Sequence, residues 1–341
     1  MTRLPATDPT AGPTAEPTAR PAAEPTARPT AGPAADPAAA AGESWPAVTV
    51  VIPTRDRPAL LRTAVAAVLD QDYPGEVRCI VVHDGTEPDT ELAQDRVTVT
   101  SNVRSPGLAG TRNSGIERAR TELVAFCDDD DRWLPDKLSA QVAVLRSDPA
   151  ARFVCCGIQV RYGDRLVERT LPAGRVTFAD LLRDRLTELH PSTFLIRRDL
   201  LDEIGLVDEA LPGSYAEDYE LLLRAAKVAP IRSLPAVHVE VLWHQKSYFA
   251  GRWATVSAAL QRLLDSYPDF YSEPAGAARL TGQIAFAEAA QGHRRQALRW
   301  AARTARIRPA EPRAVLALAV ASGAVTGERV VRKLNSRGRG I

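Results

Sequence analysis

Leu123-Val-Ala-Phe-Cys-Asp-Asp-Asp-Asp131 is the stretch that decides the fold. Its first five residues are an apolar run of strand length, which reads as a strand buried on both faces. The four aspartates begin where that strand ends. The same arrangement occurs twice upstream. Val48-Thr-Val-Val-Ile52 is a β-branched run stopped by Pro53 and followed by the polar loop Thr54-Arg55-Asp56. Val77 to Val82 runs into the turn His83-Asp84-Gly85-Thr86. Between these runs the apolar spacing turns helical. A helix is predicted from Pro58, with Asp56 as its cap, through Leu60, Leu61, Val65, Val68 and Leu69. Further helices are predicted from Leu108 to Ala119 and from Pro135 to about Arg146, with a short strand at Val97 to Thr100. Strands alternating with helices predict an α/β fold whose central, mostly parallel sheet is flanked by helices. All three polar loops follow the carboxyl ends of strands, the edge where open parallel sheets bind ligands.

The second half is less regular. Ser192 to Ile196 reads as a strand and Asp199 to Ile204 as a short helix closed by Gly205. A glycine-containing loop, Pro212-Gly-Ser-Tyr-Ala216, leads into a helix opened by Glu217 and Asp218, and Ile231 to Trp243 reads as extended. From Trp253 on, Ala-rich segments near 253–265, 276–291, 294–307 and 312–323 predict a helical extension. At the other end, residues 9–40 repeat a proline every fourth position with nothing large and apolar to bury, so residues 1–45 read as a disordered tail.

The 341 residues carry 43 basic and 42 acidic side chains, a balance that argues against a general nucleic-acid binder. Cys79, Cys127, Cys155 and Cys156 have no zinc-like spacing, and Cys79 and Cys127 fall in apolar runs, so all four read as structural thiols of a reducing cytoplasm, with redox sensitivity of the vicinal pair Cys155-Cys156 as the alternative. No secretory pattern opens the chain, and the apolar stretch Ala314 to Val325 is shorter than the ~20 residues of a spanning helix. The expected location is cytoplasmic, with peripheral contact at the inner face of a membrane through the basic stretch Arg329 to Arg339.

Chemistry concentrates in two places. Four consecutive carboxylates repel one another, and a bound cation relieves that repulsion. Carboxylates are hard donors suited to Mn²⁺ or Mg²⁺, and in an extended segment Asp128 and Asp130 point the same way and can face one ion. The plainer alternative is a solvated acidic loop. Asp218 is the second candidate, a carboxylate that the helix dipole keeps ionised. His190 and His244 are candidates for acceptor or phosphate contacts, with His238 behind them. Arg112 and Asn113 read equally as packing or phosphate-facing residues.

Taken in order, Val-Val-Ile-Pro-Thr-Arg-Asp-Arg57, His83-Asp-Gly-Thr, Gly110-Thr-Arg-Asn-Ser-Gly-Ile, Phe126-Cys-Asp-Asp-Asp-Asp-Arg-Trp-Leu-Pro-Asp-Lys-Leu138 and Glu217-Asp-Tyr-Glu-Leu-Leu-Leu-Arg224 resemble glycosyltransferase family 2 over roughly residues 47 to 250. The resemblance implies a nucleotide-diphospho-sugar transferase (GT-A) fold at 46–250, followed by a helical C-terminal extension at 251–341. It places Pro53, Thr54, Arg55 and Asp56 near the nucleotide, Asp84 on the base, and Asp129 on the ribose or as an orienter of the loop. It makes Asp128 and Asp130 metal ligands and Asp218 the base that takes a proton from an acceptor hydroxyl. The activity implied is inverting, metal-dependent transfer from a nucleotide-diphosphate sugar, a uridine diphosphate sugar by default. The acceptor is a carbohydrate, a lipid-linked glycan or a small molecule. His83 stands where the family often has aspartate. A sugar nucleotidyltransferase would carry a glycine-rich first loop, which Pro53-Thr-Arg-Asp-Arg-Pro58 is not. A non-catalytic nucleotide-sugar scaffold would have no use for Asp218.

Overall fold

A computed structural model describes residues 45–163, 165–243 and 251–335. The repetitive tail through residue 44, His244 and the end of the basic C-terminal stretch lie outside the described residues. The first half alternates strand and helix: β1 (Val48–Thr54), α1 (Pro58–Leu69), β2 (Val77–His83), β3 (Val97–Ser101), α2 (Leu108–Ile116), β4 (Leu123–Phe126), β5 (Arg132–Trp133) and α3 (Lys137–Ser147). There follow β6 (Phe153–Tyr162), β7 (Arg165–Arg169), β8 (Gly174–Val176), α4 (Phe178–Arg183), β9 (Leu195–Arg197), α5 (Arg198–Ile204), α6 (Glu217–Val228) and β10 (Ile231–Leu242). Five helices complete the described chain: α7 (Trp253–Ser266), α8 (Pro274–Ala290), α9 (Arg294–Ile307), α10 (Pro312–Ala321) and α11 (Gly327–Asn335).

The main sheet runs β3-β2-β1-β4-β9-β6-β10-β5. Strands β3, β2, β1 and β4 are parallel, β9 is antiparallel to both β4 and β6, and β6 and β10 are parallel. Every residue of β1 is buried, because helices cover both faces. Side chains alternate between two cores. Val51, Val82, Val124 and Phe126 face the core shared with α2, α6, α7 and α8. Val50, Ile52, Val81 and Ala125 face the core shared with α1 and α3. Leu260, Leu263, Ala277 and Ile284 of the C-terminal helices thus pack in the same core as Leu221 and Leu222 of α6. A third cluster holds α8, α9, α10 and α11 together.

Three local expectations change. Asp56 does not cap α1: the cap position is Arg57, without a side-chain cap bond, and Asp56 sits at φ 55°. A left-handed residue there turns the chain sharply between β1 and Pro58, and aspartate is one of the few residues that tolerate it. The predicted strand at Ser192 begins only at Leu195, because Pro191 to Thr193 form a single 3₁₀ turn. Helix α2 stops at Ile116 rather than Ala119.

All four cysteines are free and buried, as expected of structural thiols. Burial pushes the Cys79 thiol from 9.0 up to about 12. Its pKa is therefore higher folded than unfolded, so its contribution to stability is complete below pH ~9 and is lost as pH rises through the folded value. Between about pH 9 and 11 this one thiol is expected to remove about 2.5 kcal/mol of stability. Urea unfolding of Cys79→Ala across that range should show a fall smaller than wild type by about that amount, whatever its stability at neutral pH.

Candidate active site

The parallel register brings the three predicted loops together. Thr54 lies opposite His83 at the end of β1, and the Asp84 N–H donates to the Thr54 carbonyl at 2.9 Å. On the other side of β1, Val51 pairs with Phe126, and the Cys127 N–H reaches the Val51 carbonyl at 3.2 Å. The aspartates therefore emerge beside Thr54, whose hydroxyl donates to Asp129 at 2.7 Å. Pro53, Thr54 and Asp129 are buried there, while Arg55 and Asp56 are exposed. Asp84 accepts from the Asn102 side chain at 3.0 Å and from the Gly107 N–H at 3.1 Å, with Arg55 3.7 Å away.

The acidic run does not continue the strand. Asp131 N–H donates to the Asp128 carbonyl at 3.1 Å, so the segment turns back on itself and the two-residue alternation of a strand is lost. Asp128 pairs with Arg112 at 2.7 Å, and Asp130 with Arg57 at 2.6 Å. The turn also brings Asp131 toward Asp128. One ligand atom each from Asp128, Asp131 and His190 lie within 4.8 Å of one another. Asp131 is buried and held by the Ser192 hydroxyl at 2.5 Å, the Leu242 N–H at 3.3 Å and His190 at 3.3 Å. Burial, reinforced by the charges of Asp128 and Asp130, pushes the Asp131 carboxyl well above the usual range. Two carboxylates and an imidazole fit a divalent cation such as Mn²⁺, and the repulsion at Asp131 is what such a charge relieves. Burial likewise lowers the His190 pKa, against the pull of Asp128 and Asp218, which favours the neutral, ligating form.

Asp218 lies in the first turn of α6, and its carboxylate accepts from one Arg185 nitrogen at 3.0 and 3.2 Å. Burial would raise its pKa, but Arg185, the Tyr219 N–H, Arg112 and His190 together outweigh it and hold the group ionised below the usual range. The approach to α6 is contorted: Gly213, Ser214 and Ala216 all have φ between 56° and 66°. Ser214 accepts from the Ala109 N–H at 3.2 Å, and a Cβ on Gly107 would lie 2.8 Å from its hydroxyl. A glycine at 107 thus lets the α6 approach dock on the start of α2.

Arg112, on α2, joins the two halves. Its guanidinium contacts Asp128 with one nitrogen and Glu217, the neighbour of Asp218, with another. It is 2% exposed. Glu217 is also buried, and burial pushes it from 4.5 up to about 7 even beside Arg112. Arg185 and Ser192 carry no motif-level signal of these roles, and Arg57, Asp131 and Glu217 lie inside the motifs quoted above without their pairings being readable there. His238 is buried against Asp136 at 3.0 Å. Asn113 is used in packing: its side chain donates to the Val207 carbonyl and to Glu209.

Residues 49–205 match the family model described as glycosyl transferase family 2. An uncharacterized glycosyltransferase of Rickettsia felis is 25% identical over 215 residues, which are 59% of this chain and 35% of the relative. The Escherichia coli UDP-Glc:alpha-D-GlcNAc-diphosphoundecaprenol beta-1,3-glucosyltransferase WfgD is 23% identical over 185 residues, 53% of this chain and 70% of the relative. The chain thus spans about a third of the first relative and more than two thirds of the second. Among solved structures, S. aureus TarS 1-349 in complex with UDP superposes with a TM-score of 0.58 at 17% identity, covering 86% of this chain and 92% of that one. Mannosyltransferase PcManGT of Pyrobaculum calidifontis, in complex with GDP-Man and Mn2+, gives 0.51 at 20% identity, covering 85% and 84%. At these identities the structures bear on the fold alone. The GT-A-like fold, the ordered motifs and the family model, which matches just under half of the chain, agree in supporting a family 2 glycosyltransferase.

Proposed function

We propose that the protein is an inverting, metal-dependent glycosyltransferase that uses a nucleotide-diphosphate sugar, with uridine diphosphate as the default leaving group. One observation carries this reading: Arg112 ties the acidic cluster to the residue beside Asp218, so that a cation site and a base share one sheet edge. The solved relatives named above were crystallised with UDP in one case and with GDP-Man and Mn2+ in the other, which supports a nucleotide donor and a divalent ion. The activity by which the E. coli relative is named supports a lipid-linked acceptor. Under this reading the acceptor sits at a membrane surface, and the basic C-terminal stretch is one means of contact.

Asp128, Asp131 and His190 are the residues brought together to hold the ion, with Asp130 added by the family motif. A divalent ion bound there supplies positive charge against the departing diphosphate. The protein's own residues do the rest. Thr54 and Arg57 fix Asp129 and Asp130, and so set the shape of the donor loop. Asp84 organises the loop at 102–107 through Asn102 and the Gly107 N–H. Asp218, ionised and positioned at a helix start, accepts the proton of the attacking hydroxyl. Arg185 must share or release that carboxylate when the hydroxyl arrives. Attack opposite the leaving group inverts the anomeric carbon.

Calorimetric titration of uridine diphosphate, with and without Mn²⁺, tests the donor site. Binding that depends on the ion and is lost in Asp130→Ala is the expected result. No binding of uridine, guanosine or thymidine diphosphate under any condition would sink the proposal.

A further inference from the structure

Between Glu288 and Glu311 the chain contains no acidic residue but six arginines: Arg294, Arg295, Arg299, Arg303, Arg306 and Arg308. In a chain of net charge +1 this leaves the remainder net acidic. Most of the segment is α9, and its pattern is one-sided. Ala297, Ala301 and Thr304 are buried against the neighbouring helices. Arg295, Arg299, Arg303 and Arg306 recur at spacings of four, four and three and fall on the opposite, exposed face. The flanking acids do not neutralise them. Glu288 is buried and engaged by His293 and Ser257, and Glu311 is buried and paired with Arg313. Among the described residues Arg295, Arg299 and Arg306 make no ion pair, while Arg303 stacks on Tyr271 and Trp300. Large apolar side chains are exposed on the same pair of helices. Leu298 is 51% exposed on α9, and on the adjoining α10 Val315 is 64% and Leu318 45% exposed.

We infer that the outer face of α9 is a docking surface for an anionic lipid bilayer. Four guanidiniums on one face of α9 suit a surface of phosphate headgroups, and the exposed apolar side chains of α9 and of α10, which packs on it, suit a bilayer better than a soluble polyanion. The inference deepens the acceptor reading and rests on it for its purpose, since a lipid-linked acceptor is reached only at such a surface. It also locates the contact on a packed helix rather than on the chain's last residues.

Co-sedimentation of the full chain with phosphatidylcholine vesicles, with and without phosphatidylglycerol, tests it. Wild type should bind only the anionic vesicles and be released by salt. The variant Arg295→Gln/Arg299→Gln/Arg306→Gln should bind about a hundredfold more weakly, on the order of a fivefold loss per arginine. Glutamate at the same three positions should give a still larger loss, and Arg329→Glu/Arg332→Glu on α11 a loss of only a few fold. The inference is overturned if wild type ignores anionic vesicles, or if the triple glutamate variant sediments like wild type. Binding to heparin without binding to vesicles also overturns it, in favour of a soluble polyanion. Because vesicle binding needs no donor, its failure is separable from failure of the uridine diphosphate titration.

Discussion

Asp218→Asn is expected to lower turnover by about a thousandfold while leaving donor binding unchanged. General-base assistance contributes roughly 10²- to 10⁴-fold. An amide is nearly the shape of the carboxylate, so the substitution removes basicity with little change of packing. The environment supports the assignment: α6 places the group in its first turn, where the dipole favours a negative charge, and Arg185 holds it ionised. The acidic cluster is joined to this helix through Arg112 rather than through Asp218 itself, so an amide at 218 should leave the cluster intact. The measurement is release of nucleoside diphosphate from the sugar nucleotide that binds, together with its titration by calorimetry. Lost turnover with retained affinity fits the base. Unchanged turnover would remove Asp218 from the chemistry, and lost affinity would move it to the donor pocket. A binding scaffold should show neither change.

How much of this was legible beforehand depends on the distance over which each residue acts. The strands β1, β2 and β4 were readable because β-branched and apolar runs between turn residues are local signals. Their parallel order followed from the helices between them, and with it the shared edge of Thr54, Asp84 and Asp128. The path of the acidic run was not readable. Alternation along a strand pointed Asp128 and Asp130 at one ion, and it did not show that a turn closed by the Asp131 N–H also brings Asp131 and His190 to Asp128. That turn is fixed by contacts from residues 64 and 111 positions away, Ser192 and Leu242. Likewise, nothing near Arg112 in sequence says that its guanidinium bridges two carboxylates 105 and 16 positions away. Nor does a local pattern announce Arg185, 33 positions before the carboxylate it holds.

Arg112→Met is expected to destabilise the fold by about 3–5 kcal/mol, the range for removing one partner of a buried ion pair. The arginine is almost wholly buried, so methionine of similar length can fill much of its volume, and the loss is chiefly electrostatic. Glu217 is left buried without its cation, and burial already pushes it up to about 7 with Arg112 in place. The pH dependence follows from the sign of that shift. A carboxyl whose folded pKa is raised binds its proton more tightly in the native state, so its contribution is favourable at low pH and lost as pH rises from about 4.5 through 7. Without Arg112 that folded pKa rises further, so the defect should be small near pH 5 and largest near pH 8. Adding Glu217→Gln should recover most of the stability at pH 8, because the stranded charge is then gone. Urea unfolding of wild type, both single variants and the double variant at the two pH values closes the cycle. A double variant as unstable as Arg112→Met would show that the loss lies in packing around α2 and not in the unpaired glutamate. Recovery of stability without recovery of Mn²⁺-dependent nucleotide binding would separate two roles of one guanidinium: neutralising Glu217, and aiming Asp128 at the cation.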